Sequence, residues 1–442
     1  MADTEASPPA SKNSAFKSSP TRLLNRDFLL LWQGQTVSAV GTSLFQIAIL
    51  YWLMETTGSA TIMGLVSMLG ALPGVILGPF GGAIADRFSR KKLIVLGDAI
   101  LGLSMLSLAV PFFLIEGAIQ LKIVWIIAVS MLVGIVGAFF RPAVTASIPS
   151  LVPFGRLNAA NSMNAFSMSS SMALGQAAGG VLYRILGAPM LIFINGISYL
   201  LSALSEVFIR IPQQQPEAIK SSRELGRAFI EDIRVGLKYV WNKVGLRNMM
   251  AAFALLNFVM APLGVLLPIL LDKWLLLPPD WFGYLMAAMG VGSLFGMMFA
   301  GMVRIDGVGR FVCILSALYA MSLANLVFGF ATNPFLLIAA NMMSGFFMGI
   351  LIVSFTTLMQ ATTPDELRGR VSSVMMTVMM GTVPLAMGLA GVLADLVDQN
   401  IPLLFISAGT ISGTLVTVIA FNKPFREFLA TRLFTTDQQP GC

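Results

Sequence analysis

Apolar positions along this chain fill runs of about 20 residues that carry almost no charge, with no sign of the period-two alternation of a strand or of a single helical face. A helix rises about 1.5 Å per residue, so a run of that length crosses the roughly 30 Å hydrocarbon core of a bilayer. Twelve such runs can be drawn, over 28–54, 61–85, 93–114, 123–140, 158–182, 188–209, 248–271, 281–303, 311–330, 334–358, 371–396 and 401–421. The pattern predicts an all-α integral membrane protein of twelve transmembrane helices. The longest polar interval, 210–247, divides the spans into two six-helix bundles, 28–209 and 248–421. Residues 1–27 read as a disordered polar tail rich in Ser and Pro, with no apolar core of the kind a signal peptide needs, and 422–442 as a second tail. Within the interval, Leu225, Phe229, Ile233, Leu237, Val240 and Val244 recur at helical spacing. Arg223, Arg227, Glu231, Arg234 and Lys238 fill much of the remaining surface, which predicts an amphipathic helix lying on the membrane surface as an anchor or a strut between the halves.

Charge orients the spans. Of 28 Lys and Arg, all but Lys122, Arg184 and Lys273 fall on the tails and the even-numbered connections. By the positive-inside rule this predicts both termini in the cytoplasm, and it explains the net charge of +7 without a nucleic-acid partner. Composition agrees with a lipid solvent, at 56% hydrophobic and 11% charged residues. With no histidine and two cysteines, Cys313 and Cys442, the chain lacks the usual ligands and nucleophiles of metal, triad or disulfide chemistry. It also lacks the phosphate-cradling Gly-x-x-x-x-Gly-Lys-Ser/Thr run of direct ATP use. No cofactor and no metal is expected.

The two halves echo each other. The connection after span two holds Asp86 and Arg90, and that after span eight holds Asp306 and Arg310, at the same spacing and about half the chain apart. A second echo pairs Pro153, Leu157 and Ser162 with Pro364, Leu367 and Ser372. Both predict a duplicated, pseudo-symmetric six-helix unit. Thr363, Pro364 and Glu366 have the spacing of a capping box for a short helix. Asp86 is placed to accept from helix N-terminal amides, and Arg90 or Arg141 to pair with it.

The stretch Gly82-x-x-x-Asp86-Arg87-x-Ser89-Arg90-Lys91 resembles the signature between spans two and three of the major facilitator superfamily, with Ser89 at a position where that signature has Gly. Thr57-Gly58-Ser59-Ala60, Phe140-Arg141-Pro142-Ala143, Ile148-Pro149-x-x-x-Pro153 and Pro364-Asp365-Glu366-Leu367-Arg368-Gly369-Arg370-Val371 resemble its bacterial drug and siderophore exporters, a group that includes macrolide efflux pumps. Gly175-Gln176-Ala177-Ala178-Gly179-Gly180 is similar to the antiporter signature of span five, with Gln176 in place of the usual Pro. The resemblance implies a secondary transporter of the bacterial cytoplasmic membrane, working by alternating access and exporting an amphipathic compound in exchange for protons. It also implies that Asp86, Arg87, Arg90, Arg141, Asp306, Arg310, Asp365 and Arg370 latch the cytoplasmic side. Other readings are a lysophospholipid flippase, a small-solute importer, or a polytopic membrane enzyme or receptor.

An exporter cavity needs helix faces less apolar than lipid. Span one offers Gln35, Ser38, Thr42 and Gln46 at helical spacing, and span five offers Asn161, Asn164, Ser171 and Gly175. Asn257, Asn325 and Asn341 stand on spans seven, nine and ten. Met375, Met376, Met379 and Met380 add adaptable apolar surface on span eleven, and such polar and Met positions equally serve helix packing. Gly134 with Gly137, and Gly175 with Gly179, are placed to let helices approach. No acid lies in mid-span: Glu55, Glu116, Glu206 and Asp395 fall near span ends, and Asp98 lies about 8 Å into span three by helical rise. Asp98 is the candidate proton-coupling acid, with an ion pair to Arg141 or Lys92 as its structural alternative. The expected partners are a small-molecule substrate, protons and membrane lipid, with the chain acting as a monomer.

Overall fold

The computed structural model describes residues 22–213, 222–303, 306–364 and 367–431, and every regular element among them is helical. Lipid offers no partner to a backbone amide or carbonyl, so a chain this apolar satisfies them within each helix. The long helices are α1 (Arg26–Thr57), α2 (Ala60–Arg87), α3 (Arg90–Leu114), α4 (Ile119–Leu151) and α5 (Leu157–Glu206). They are followed by α6 (Ser222–Asn242), α7 (Val244–Met260), α8 (Pro262–Ile269), α9 (Asp280–Met302), α10 (Val308–Phe330), α11 (Pro334–Thr362), α12 (Arg368–Leu396), α13 (Ile401–Ala420) and the short α14 (Lys423–Leu429). Side chains of Asn25, Ser59, Asn333, Asn400 and Asn422 accept from first-turn amides and fix where five of these begin. α12 starts at Arg368 with Leu367 as its cap, and Thr363 Oγ1 is buried without a partner; Asp365 and Glu366 of the expected capping box lie outside the described residues.

Eleven stretches are long and apolar enough to cross a membrane, against twelve runs in the sequence. The difference lies in α5, whose 50 residues would reach about 75 Å if straight. It is not straight. Gly187 sits at φ 72°, ψ 170°, a conformation open essentially to glycine alone. The contacts show that the chain reverses there. Along the first limb, Met163, Ser171, Gly179 and Tyr183 meet Trp32, Thr36, Ile47 and Tyr51 of α1 in ascending order. Along the second limb the order reverses: Asn195 and Tyr199 meet Gly41 and Thr42, and the later Ser202 and Glu206 meet the earlier Gly34 and Gln35. One limb runs parallel to α1 and the other antiparallel, so α5 is two spans and the total is twelve.

The same pairings recur in each half. α2 packs on α4, α3 on the second limb of α5, and α1 on the first limb; correspondingly α9 packs on α11, α10 on α13 and α7 on α12. The duplication expected from the Asp–Arg echo is thus a duplication of packing. α6 belongs to the second bundle: Gly236 lies under the Arg370 carbonyl, the Tyr239 hydroxyl donates to Thr362 O at 3.2 Å, and Val240 is buried.

The connections define two ends, a proximal one holding the described chain ends and a distal one holding the turns after α1, α3, α10 and α12, the reversal at Gly187 and the turn before α9. At the distal end a single apolar cluster joins the bundles, with Tyr51, Met54 and Met63 packed among Leu266, Leu271, Phe282 and Ala394. At the proximal end there are two separate clusters. One, around Phe28, Ile94 and Ile148, belongs to the first bundle, and the other, around Met249, Leu358 and Phe425, to the second. The bundles touch chiefly along two crossings, α2 with α12 and the first limb of α5 with α9, with α8 also meeting α1 and α2. A β-carbon added to Gly64 would stand 2.5 Å from Met387 O, whereas one added to Gly381, further toward the proximal end, would stand 3.6 Å from Val75. Gly78, Gly82 and Gly369, beyond that, would meet nothing within 4 Å. The halves are closed distally and diverge proximally. Gly187→Ala should lower the thermal midpoint of the detergent-purified protein, by a strain of about 1–3 kcal/mol, without preventing membrane insertion.

Candidate gates and coupling site

A half-buried carboxylate closes the distal end. Asp395, near the end of α12, accepts from the Ser59 hydroxyl at 2.7 Å and from the amides of Ala60 and Thr61 at 3.1 and 2.8 Å. An acid of one bundle thereby caps the first turn of α2 in the other, where unpaired amides and the positive end of the helix dipole favour an anion. Gln399 Nε2 donates to Asp395 at 2.7 Å and to Gly58 O at 2.5 Å, and Lys273 Nζ reaches Gln399 Oε1 at 2.5 Å. Asp398 and Gln399 both have positive φ, so the turn after α12 holds strain to present these groups. On the second crossing Arg184 pairs with Asp280 at 3.0 Å, and the rings of Tyr51 and Phe282 meet edge to face at 6.1 Å. Tyr183 donates to Glu55 at 2.5 Å within the first bundle.

The bonds described for Arg90 and Arg310 at the proximal end lie within their own bundles. Arg90 donates to Ala146 O at 2.7 Å and Ala85 O at 3.3 Å, both in its own bundle, and its amide donates to Gln213. Arg310, buried, pairs with Asp306 and donates to Thr431 O at 2.6 Å, in the second bundle. Arg141 and Arg370 are exposed and Arg87 half-buried. The side chain of Asp86, and all of Asp365, lie outside the described residues.

The polar residues of span one are placed differently from the sequence expectation of a cavity lining. Gln35 and Ser38 are buried, and the Thr42 hydroxyl is 2.7 Å from the Tyr199 hydroxyl. Gln35 donates to Glu206 at 2.8 Å, so this stripe faces the second limb of α5, inside the bundle; Gln46 alone of the four is exposed. Ser171, buried, donates to Thr36 O, and Asn341, buried, donates to Leu285 O at 2.6 Å. Asn164 and Asn257 are half-buried and Asn161 is exposed; Asn257 donates to Phe253 O, and Asn325 donates to Met260 Sδ and Met321 O. The Met stripe splits: Met375 and Met379 pack into the second bundle, while Met376 and Met380 are exposed. Gly134 and Gly175 sit at close helix contacts, but Gly137 faces open space.

Asp98 is fully buried, eight residues into α3, about 12 Å by helical rise and deeper than the apolar run alone indicates. The ion pair to Arg141 or Lys92 does not form among the described residues, and no hydrogen bond of good geometry reaches either Asp98 oxygen. Its neighbours are Ser202 and Glu206. Glu206, placed by the sequence near a span end, is 1% exposed and faces Gln35, about 14 Å into α1. Helix α5 ends there; Val207 and Phe208 beyond it are exposed, and Ile209 is buried again. Sequence reasoning missed it because an apolar run shows its own limits and not what covers them.

A family model described as "Transmembrane secretion effector" matches residues 17–438. The chain is 25% identical over 400 residues to macrolide efflux protein A of Streptococcus pyogenes, covering 90% of this chain and 95% of that one. It is 27% identical over 379 residues to the multidrug efflux pump Tap of Mycolicibacterium fortuitum, covering 83% and 88%. Among solved structures, the nucleoside transporter NupG superposes with a TM-score of 0.67 at 13% identity, over 93% of this chain and all of that one. A bacterial homolog of the human lysosomal transporter Spinster, in an inward-facing and unoccupied conformation, superposes at 0.65 with 17% identity over 94% and 98%.

Hydrogen bonds to a charged group contribute about 1.5–3 kcal/mol each, so Asp395→Ala should release the distal closure by at least about tenfold in population. Cysteine labelling at distal positions of α2 would read this as faster modification. The Arg184–Asp280 pair, with its Arg side chain 55% exposed, should show a coupling of only about 0.2–1 kcal/mol in a double-mutant cycle of thermal stability.

Proposed function

Because the chain belongs to the transmembrane secretion effector family of the major facilitator superfamily and is a multi-pass membrane transporter, we propose that it exports an amphipathic organic compound, of drug or siderophore type, in exchange for protons. The export direction and substrate class rest on the relatives of known name, which are efflux proteins. Proton exchange rests on one observation, the fully buried and cation-free Asp98. We take the proximal end, rich in Lys and Arg, as cytoplasmic, and the described conformation is then open to the cytoplasm and closed outside. Asp395 and its partners are the outer gate.

In this scheme the compound enters between the diverging bundles and meets groups that protein partners do not fully occupy: Asn164, Asn257 and Met376. Closing of the cytoplasmic side brings Asp86, Arg87, Arg90, Arg141, Asp306, Arg310, Asp365 and Arg370 into use as a latch, while the distal bonds to Asp395 break. Binding energy alone does not drive net export. One charge crossing a 100 mV potential supplies about 2.3 kcal/mol, which is enough for a useful gradient.

Proteoliposomes with an acid lumen should accumulate labelled erythromycin or ethidium, and an ionophore that collapses the gradient should abolish this. Movement untouched by the ionophore would remove the antiport reading, and movement confined to lysophospholipid, sugars or amino acids would replace the substrate class. Asp86→Asn should slow flux at normal expression, because it keeps size while removing the charge that biases one conformation. Unchanged flux would reduce the latch to a topology signal.

A further inference from the structure

Glu206 has no part in the scheme above, yet it is one of the most completely enclosed charged residues of the chain. Its Oε1 accepts from Gln35 Nε2 at 2.8 Å, and its Oε2 has no partner. Asp98 stands beside it across the α3–α5 contact and Ser202 completes the cluster; the three side chains face one another, yet no hydrogen bond of good geometry satisfies either Asp98 oxygen or the Ser202 hydroxyl. All three side chains are at most 2% exposed. The close approach is built in: a β-carbon at Gly34 of α1 would lie 2.7 Å from Ser202 Oγ and 3.3 Å from Glu206 Oε1. The titratable or charged groups facing the cluster are Tyr199, on the same limb of α5, and Arg141 of α4, within electrostatic reach of Tyr199. α1 contributes only neutral Gln35 and Thr42, and among the described residues no ion pair forms to either acid.

Two carboxylates side by side in a buried site with no cation paired to either cannot both readily carry charge, and a proton held between them makes one a donor to the other. We propose that Asp98 and Glu206 form one proton-binding site, spanning α3 and the second limb of α5, that holds a single proton between two carboxylates. The proposal rests on the proton-exchange reading and adds Glu206 to it. The proton binds a carboxylate oxygen and leaves by ionisation of that O–H to water, with no other bond made or broken. Losing it places two like charges side by side, which drives α3 and α5 apart or admits water. Gln35 and Tyr199 carry that strain to α1, which contacts both limbs of α5. A site buried in the proximally open conformation thus releases its proton only after rearrangement, as coupling requires.

Infrared spectra of the full-length protein in lipid test this directly. At neutral pH the wild type should show a protonated-carboxyl band that is absent from the Asp98→Asn/Glu206→Gln double variant and that titrates differently in each single variant. Glu206→Gln keeps the size and the Gln35 contact, so its fold is checked by an unchanged thermal midpoint; if it fails to fold, Asp98→Asn and the Gln35→Ala variant are read by the same band. Both single variants should lose pH-gradient-driven flux while keeping substrate exchange down its own gradient. A wild-type band identical to that of the double variant overturns the proposal, as does a band that sodium ions displace, which would make the site a sodium site. If the band behaves as expected but wild-type flux ignores an imposed pH gradient, the site stands and the antiport reading fails.

Discussion

Main chain against main chain is the contact on which the rest of this structure depends. Between apolar helices in lipid there is little hydrophobic drive to associate, so cohesion comes from close packing and from the few polar bonds that bridge them. Glycine supplies the close packing. Gly64 and Gly391 bring α2 onto α12, Gly180 and Gly283 bring the first limb of α5 onto α9, and in each place a β-carbon would collide with a backbone carbonyl or amide. Within the bundles the same device sets Gly70 against Ser130, and Gly349 against Ser293 and Met297. Such contacts are short-ranged, so a small rotation of one bundle removes them at one end and leaves them at the other. That is the geometry observed, with one apolar cluster shared distally and two kept apart proximally.

The polar bonds follow the packing. Where the main chains touch, the acid of Asp395 can reach the first turn of α2, and Arg184 can reach Asp280. Where they diverge, Arg90 and Arg310 turn to carbonyls of their own bundles. A carboxylate seated on helix amides needs no solvating water, which suits it to a closed gate; an arginine with several carbonyl partners can exchange them as its surroundings change.

Twelve spans and a six-and-six division were legible because length and repetition act locally. The Asp86 and Asp306 echoes announced the duplication correctly, and α5 required only the recognition that a glycine turn with Arg184 beside it ends one span and starts another. Partnerships across the chain were not legible. Gln35, Ser38 and Thr42 share a helical face, but nothing in their spacing says whether that face meets a cavity or another helix, and the answer was Tyr199 and Glu206. Asp395 and Ser59 are 336 residues apart, and Asp98 gains its significance only from a glutamate that the sequence places at a span end. Spacing reveals faces; only the fold reveals neighbours.

The connection between the halves is moored at both ends. Gln213 donates to Phe88 O and accepts from the Arg90 amide, which ties it to the start of α3, while α6 is fastened to the second bundle by Gly236, Tyr239 and Val240. From Gln213 to Ser222 the chain can span at most about 30 Å when fully extended. The two bundles are therefore on a leash, and its length caps how wide the proximal mouth can gape, whatever the size of the molecule passing through it.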